Sequence, residues 1–149
     1  MILFNPTAII IMRCPYGTYQ RAMSAEHCII TLLWSETDDN GEPLDSGEYQ
    51  PSDQLKQKIG EDWAKFREQA EAMGFDPDEH IAMTLHPDND GDAWNAVAHD
   101  FILTRNGHGA GFWDSGRWQQ PWNDLLDNLA ETFGEIFCEA GDDGLIYVL

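Results

Sequence analysis

Positive charge is what this chain has least of. Eight Lys and Arg face 27 Asp and Glu over 149 residues, a formal net charge of −19. Past Arg67 the only cations are Arg105 and Arg117, against 17 carboxylates. A field of that sign repels nucleic acid and anionic membrane, so direct binding to either is excluded, and solubility, cations or a basic protein surface are favoured. Cysteine is also scarce. Cys14, Cys28 and Cys138 make no CxxC and no metal-ligand spacing, which fits free, buried thiols in a reducing cytoplasm. No apolar run reaches the ~20 residues of a membrane span. Residues 8–12 are apolar and β-branched, but they are short and lack the preceding Lys/Arg cluster of a signal peptide.

Several catalytic signatures are missing as well. There is no Gly-x-Ser-x-Gly elbow, and no cysteine has a recognisable His-Asn context. Gly107-His108-Gly109-Ala110-Gly111 lacks the Lys and the helix start of a phosphate loop. Two oxygen-rich loops fail the EF-hand pattern. Counting from Asp88, position six is Ala93; counting from Glu36, position six is Gly41 but position twelve is Gly47. No internal repeat and no low-complexity segment is present.

The chain is 42% hydrophobic, with 6 Trp, 7 Phe and 4 Tyr. That supplies one core for one domain over 1–149, with 1–25 as an N-terminal extension and 26–149 as the core region. Within it, Cys28-Ile29-Ile30-Thr31-Leu32-Leu33-Trp34 reads as a central strand covered on both faces. An acidic loop follows. Ser52 or Asp53 caps a helix whose apolar stripe is Leu55, Ile59, Trp63, Phe66, Ala70 and Met73, ended by Gly74 as a C′ residue. Asp76-Pro77-Asp78-Glu79 starts a short helix. Asn106-Gly107 between two strand-like runs predicts a type I′ hairpin over roughly 100–105 and 109–114. Pro121 opens a second firm helix with Trp122, Leu125, Leu126, Leu129 and Phe133 inward and Gly134 as its cap. Ile136-Phe137-Cys138 and Leu145-Ile146-Tyr147-Val148 read as two short strands around a Gly-Asp-Asp-Gly turn. This order predicts an α+β fold: a small, mostly antiparallel sheet built from hairpins, with two main helices packed on one face.

Three segments carry a resemblance. They are Leu33-Trp34-Ser35-Glu36-Thr37-Asp38-Asp39-Asn40-Gly41-Glu42-Pro43-Leu44-Asp45, the run from Asp100 to Asp114, and Gly141-Asp142-Asp143-Gly144-Leu145-Ile146-Tyr147. Over roughly residues 28–149 the chain resembles a family of small uncharacterised proteins of bacteriophages and related mobile elements. The resemblance implies a phage-like origin and work in the cytoplasm of an infected bacterium. It brings no established activity. Residues 1–25 and the insert around 74–92 depart from the pattern.

The 99–114 segment concentrates chemistry-bearing side chains. His99, Asp100, His108 and Asp114 are metal-ligand types, yet strand alternation puts His99 and Asp100 on opposite faces, so no metal and no cofactor is expected. Arg105, Asn106, His108 and Asp114 form a candidate ligand or acid/base site. Against that stands a packing role, in which Gly109 and Gly111 leave bare backbone for an aromatic ring and Arg105 pairs with Asp100 or Asp114.

Carboxylates are also spaced along both long helices: Glu61 and Glu68 on the first, Asp124, Asp127 and Glu131 on the second. Side chains three or four apart on a helix repel, and their ~5–6 Å spacing is close to that of phosphates along a nucleic-acid strand. The expectation is therefore a non-enzymatic protein that binds and inhibits a bacterial nucleic-acid enzyme or defence complex through a basic surface, by charge mimicry. A small enzyme or ligand-binding domain at Arg105, His108 and Asp114 is the alternative. A third reading is a homo-oligomeric accessory protein joined by exposed Trp residues.

Overall fold

A computed structural model describes residues 15–83 and 92–149, with side chains from Ser24 onward. The strand expected at 8–12, Cys14 and most of the Asp88-Asn89-Asp90-Gly91-Asp92 loop lie outside the described residues. The fold is α+β, with five helices and a three-stranded mixed sheet among the described residues. In order they are α1 (Pro15–Ser35), a 3₁₀ turn (Leu44–Ser46), β1 (Gln50–Pro51), α2 (Asp53–Ala72), α3 (Pro77–His80), α4 (Ala93–Arg105), α5 (Trp122–Glu131), β2 (Cys138–Ala140) and β3 (Leu145–Val148).

Two expected elements change type. The 28–34 run is the last part of helix α1, not a strand. Cys28 and Leu32, one turn apart, are fully buried, while Ile30 and Trp34 face outward. The segment expected as the first hairpin strand is the C-terminal half of helix α4. Asp92 caps this helix by accepting the Trp94 N–H, and nearly every side chain along it is buried, polar ones included. A helix covered on all sides carries no amphipathic stripe, and its apolar run then looks like a buried strand. Asn106-Gly107 does need the positive φ that suggested a hairpin, but it meets that need as a helix end. Gly107 has φ +65°, its N–H reaches Thr104 O, and the His108 N–H reaches Leu103 O, both at 3.2 Å. That pair of bonds is a Schellman cap.

Other expectations hold. Ser52 caps α2 by accepting the Leu55 N–H at 3.1 Å. Gly74 ends it at φ +97°, with Phe75 N–H on Ala70 O. Asp76 caps α3 with Pro77 at its first turn. The Gly-Asp-Asp-Gly turn joins β2 to β3 antiparallel, although β2 runs over Cys138–Ala140 and only Cys138 of the expected 136–138 strand belongs to it. The sheet is nevertheless mixed, because β1 pairs with β3 in parallel, in the order β1-β3-β2. It is also peripheral. The frame is helical: α4 sits at the centre between α1 and α5, and α2 packs on α1, on α5 and on β3. Phe66 of α2 meets Phe101 of α4 at 4.4 Å between ring centroids and Phe112 at 5.8 Å. This aromatic stack fixes α4 and whatever follows it.

Candidate functional site

Arg105, Asn106, His108 and Asp114, at and beyond the end of α4, are the expected ligand site, and of the four only Asn106 and His108 share a partner. Arg105 is buried. Its Nη1 donates to Asp62 Oδ2 at 2.9 Å, its Nε to Gly134 O at 2.9 Å, and its Nη2 to Phe133 O at 3.2 Å. It therefore binds α2 to the carbonyls that end α5, where a cation complements the helix dipole. The pairing with Asp100 or Asp114 is corrected to Asp62, and the aromatic neighbours are Phe101 and Phe133, at 5.3 and 5.8 Å. Asn106 spans to the chain after α5: its Oδ1 accepts the Ile136 N–H and its Nδ2 donates to Glu36, both at 2.9 Å. His108 Nε2 lies 2.9 Å from the same Glu36 oxygen, on the surface. Asp114 accepts the Gly111 N–H at 2.8 Å and so closes its own turn.

Glycine at 111 is dictated by a close approach. Its φ is +137°, and a Cβ there would collide with the Thr104 hydroxyl. The same hydroxyl accepts the Phe112 N–H at 3.1 Å, and Phe112 itself is fully buried. The turn is thereby locked onto the end of α4, with Trp113 and Asp114 left outside.

Asp100, one of the metal-ligand residue types in the 99–114 segment, anchors the next segment. Its carboxylate takes Trp118 Nε1 at 2.7 Å, Arg117 Nη1 at 3.2 Å and Ser115 Oγ at 3.5 Å. Burial pushes its carboxyl up to about 6 against the attraction of Arg117 and the Trp118 hydrogen bond, with Asp114 adding repulsion. Such a shift marks a site only where a cleft reaches the group, and this carboxylate is sealed beneath the loop it holds. His99 is elsewhere, with Nδ1 at 3.3 Å from Thr31 Oγ1. Among the described residues no group of three His, Cys, Asp or Glu is placed to hold a metal ion. Burial pushes the Cys138 thiol up to about 11, Glu36 contributing, and raises Cys28 further from reactivity.

The carboxylates separate into two kinds of surroundings. On α2, Glu61 and Glu68 are exposed among Lys58, Lys65 and Arg67, and ion pairs Lys58–Asp62 and Arg67–Glu71 run along the helix. Its charge is close to balanced. On α5, Asp124, Asp127 and Glu131 have no such company. Partial burial pushes Asp127 up, and Glu131, Asp124 and Asp114 push it the same way, against a hydrogen bond from Thr104. Asp114, Asp124 and Glu131 therefore each sit within electrostatic reach of Asp127. The two cations that follow Arg67 in sequence are both turned inward, to Asp62 and Asp100. A second acidic region is an open groove of about 990 Å³ between the 38–49 loop and the 141–144 turn, where Asp38, Glu42, Glu48, Asp142 and Asp143 surround Tyr49.

Sequence reasoning missed Asp62, Thr104, Glu36 and Trp118 as partners. Only an acidic residue on an otherwise apolar helix face, as Asp62 is between Ile59 and Phe66, signalled one of them. Among the described residues no helix is long and apolar enough to cross a membrane. No family model, curated protein or solved structure matches the chain.

Proposed function

We propose that this is an acidic, phage-type interaction protein that binds and inhibits a bacterial nucleic-acid-binding enzyme or defence complex in the cytoplasm of the infected cell. The contact is made through carboxylates that stand in for phosphates. The observation that carries this reading is the inward turn of Arg105 and Arg117. With both guanidinium groups spent on buried carboxylates, the surface around α5 shows a partner Asp114, Asp124, Asp127 and Glu131 with no cation after Arg67 left to neutralise it. A basic groove would release its counterions on meeting such a surface, so affinity falls steeply with salt. The α5 group is the core of the proposed contact. Glu61 and Glu68 lie at its margin, because the lysines of their own helix offset them. The alternative of a ligand site at Arg105, His108 and Asp114 has no comparable support, since the Arg105 side chain is 1% exposed.

The test is capture from bacterial lysate at low and at high salt with wild-type protein and with the triple variant Asp124→Lys, Asp127→Lys, Glu131→Lys. The wild type should retain, at low salt only, a nucleic-acid-binding protein whose activity on nucleic acid it lowers. A folded triple variant should retain none. Equal capture and equal inhibition by the two would overturn the reading.

A further inference from the structure

We infer that Trp113 and the carboxylates beside it form a slot for an arginine side chain of the partner protein, so that this surface selects guanidinium over positive charge in general. The inference rests on the acidic docking surface proposed above and names what that surface grips.

Trp113 is 56% exposed, yet it is not on a loose loop. Phe112 before it is fully buried and its N–H is bonded to Thr104. Asp114 after it closes the turn onto Gly111. An indole held outward between two fixed neighbours presents a rigid aromatic face, the kind of residue that anchors protein interfaces. Asp114 follows it directly in the chain, and Asp114 lies within electrostatic reach of Asp127 on α5.

The protein contains an internal version of the same arrangement. Arg67 lies over the ring of Trp94 at 4.0 Å, and its Nε donates to Glu71 at 3.1 Å. Ring, carboxylate and guanidinium are all present there. At Trp113 the ring and the carboxylate are present, and among the described residues no cation lies over the ring. Arg stacks flat on an indole and forks onto a carboxylate at once, which the compact, strongly hydrated Lys ammonium does not do. A second copy of this chain is a poor occupant, because it carries the same charge of −19.

The probes are oligoarginine and oligolysine peptides of equal length, titrated at low salt into the wild type, Trp113→Ala, Trp113→Phe and the α5 triple charge reversal. Affinity is read by calorimetry and the Trp113 indole N–H by NMR. Oligoarginine should bind more tightly and shift that indole signal. Trp113→Ala should weaken it roughly three- to tenfold, to the level of oligolysine, with Trp113→Phe in between and oligolysine unaffected. Equal binding of the two peptides, or Trp113→Ala and Trp113→Phe both matching the wild type, would overturn the slot. The acidic surface would still stand in that case, provided the charge reversal abolishes binding of both peptides. Failure of both peptides to bind the wild type would remove the docking surface and the slot together.

Discussion

Arg105 Nη1 and Asp62 Oδ2 stand 2.9 Å apart across 43 residues of sequence, with side chains 1% and 8% exposed. The pair lies where α2, α4 and the end of α5 meet. Its other polar atoms are engaged as well: Lys58 Nζ donates to the other Asp62 oxygen at 3.2 Å, and the other two guanidinium nitrogens donate to Phe133 O and Gly134 O. A buried ion pair stabilises only when its leftover donors and acceptors are satisfied in this way. The most conspicuous arginine of the sequence is thus a structural joint.

Arg105→Ala leaves Asp62 buried without its main counter-charge and orphans the carbonyls of Phe133 and Gly134. A loss of about 3–5 kcal/mol is expected in urea unfolding. Replacing both partners, Arg105→Met with Asp62→Leu, should recover much of that loss, because a well-packed apolar pair needs no compensation. A single Arg105→Ala variant within about 1 kcal/mol of wild type would mean that the joint carries little.

Asp100 gives the fold a pH dependence of definite sign. Its carboxyl sits at about 6 in the folded state against 3.8 without the fold, chiefly through burial. The folded state therefore takes up this proton first, and stability contributed by this group rises as pH falls from about 7 through 6 and levels off below 3.8. The full difference is on the order of 3 kcal/mol. Asp100→Asn should remove that slope while still accepting from Trp118 Nε1. Parallel stability-against-pH curves for wild type and Asp100→Asn between pH 7 and 5 would contradict this placement.

Legibility in the sequence followed amphipathicity and cap chemistry. Helix α2 was readable because its apolar stripe repeats at helical spacing and Ser52 and Gly74 bracket it. Helix α5 and the β2–β3 turn were readable from Pro121, Gly134 and Gly141-Asp142-Asp143-Gly144. Helices α1 and α4 were not. Residues 28–34 are apolar except Thr31, and in 100–105 the polar Asp100, Thr104 and Arg105 are buried with their apolar neighbours, so neither run shows a period that separates a buried helix from a buried strand. The hairpin error had a physical cause too: Asn-Gly reports a positive φ, and a helix C-cap needs one as much as a type I′ turn does. For the candidate site, the sequence shows that Arg105 and several glycines fall together, but the partners of Arg105, Asn106 and His108 come from α2, the 36–43 loop and the end of α5. Those are long-range pairings that spacing along the chain does not encode.

Gly111 and Gly109 separate steric necessity from conformational preference. Both have positive φ, +137° and +70°, but space is open around Gly109, whereas a Cβ at Gly111 meets the Thr104 hydroxyl and backbone. Gly109→Ala should cost about 1 kcal/mol, the ordinary penalty of a left-handed alanine. Gly111→Ala adds a collision that Thr104 cannot relieve without giving up the Phe112 N–H, so a cost of about 2–4 kcal/mol is expected. Chemical unfolding of the two variants measures the difference directly. Because the same turn sets the direction of Trp113, the Trp113 indole N–H signal should move in Gly111→Ala and stay in place in Gly109→Ala. Equal costs and an unmoved indole would show that Gly111 does not hold this turn against α4.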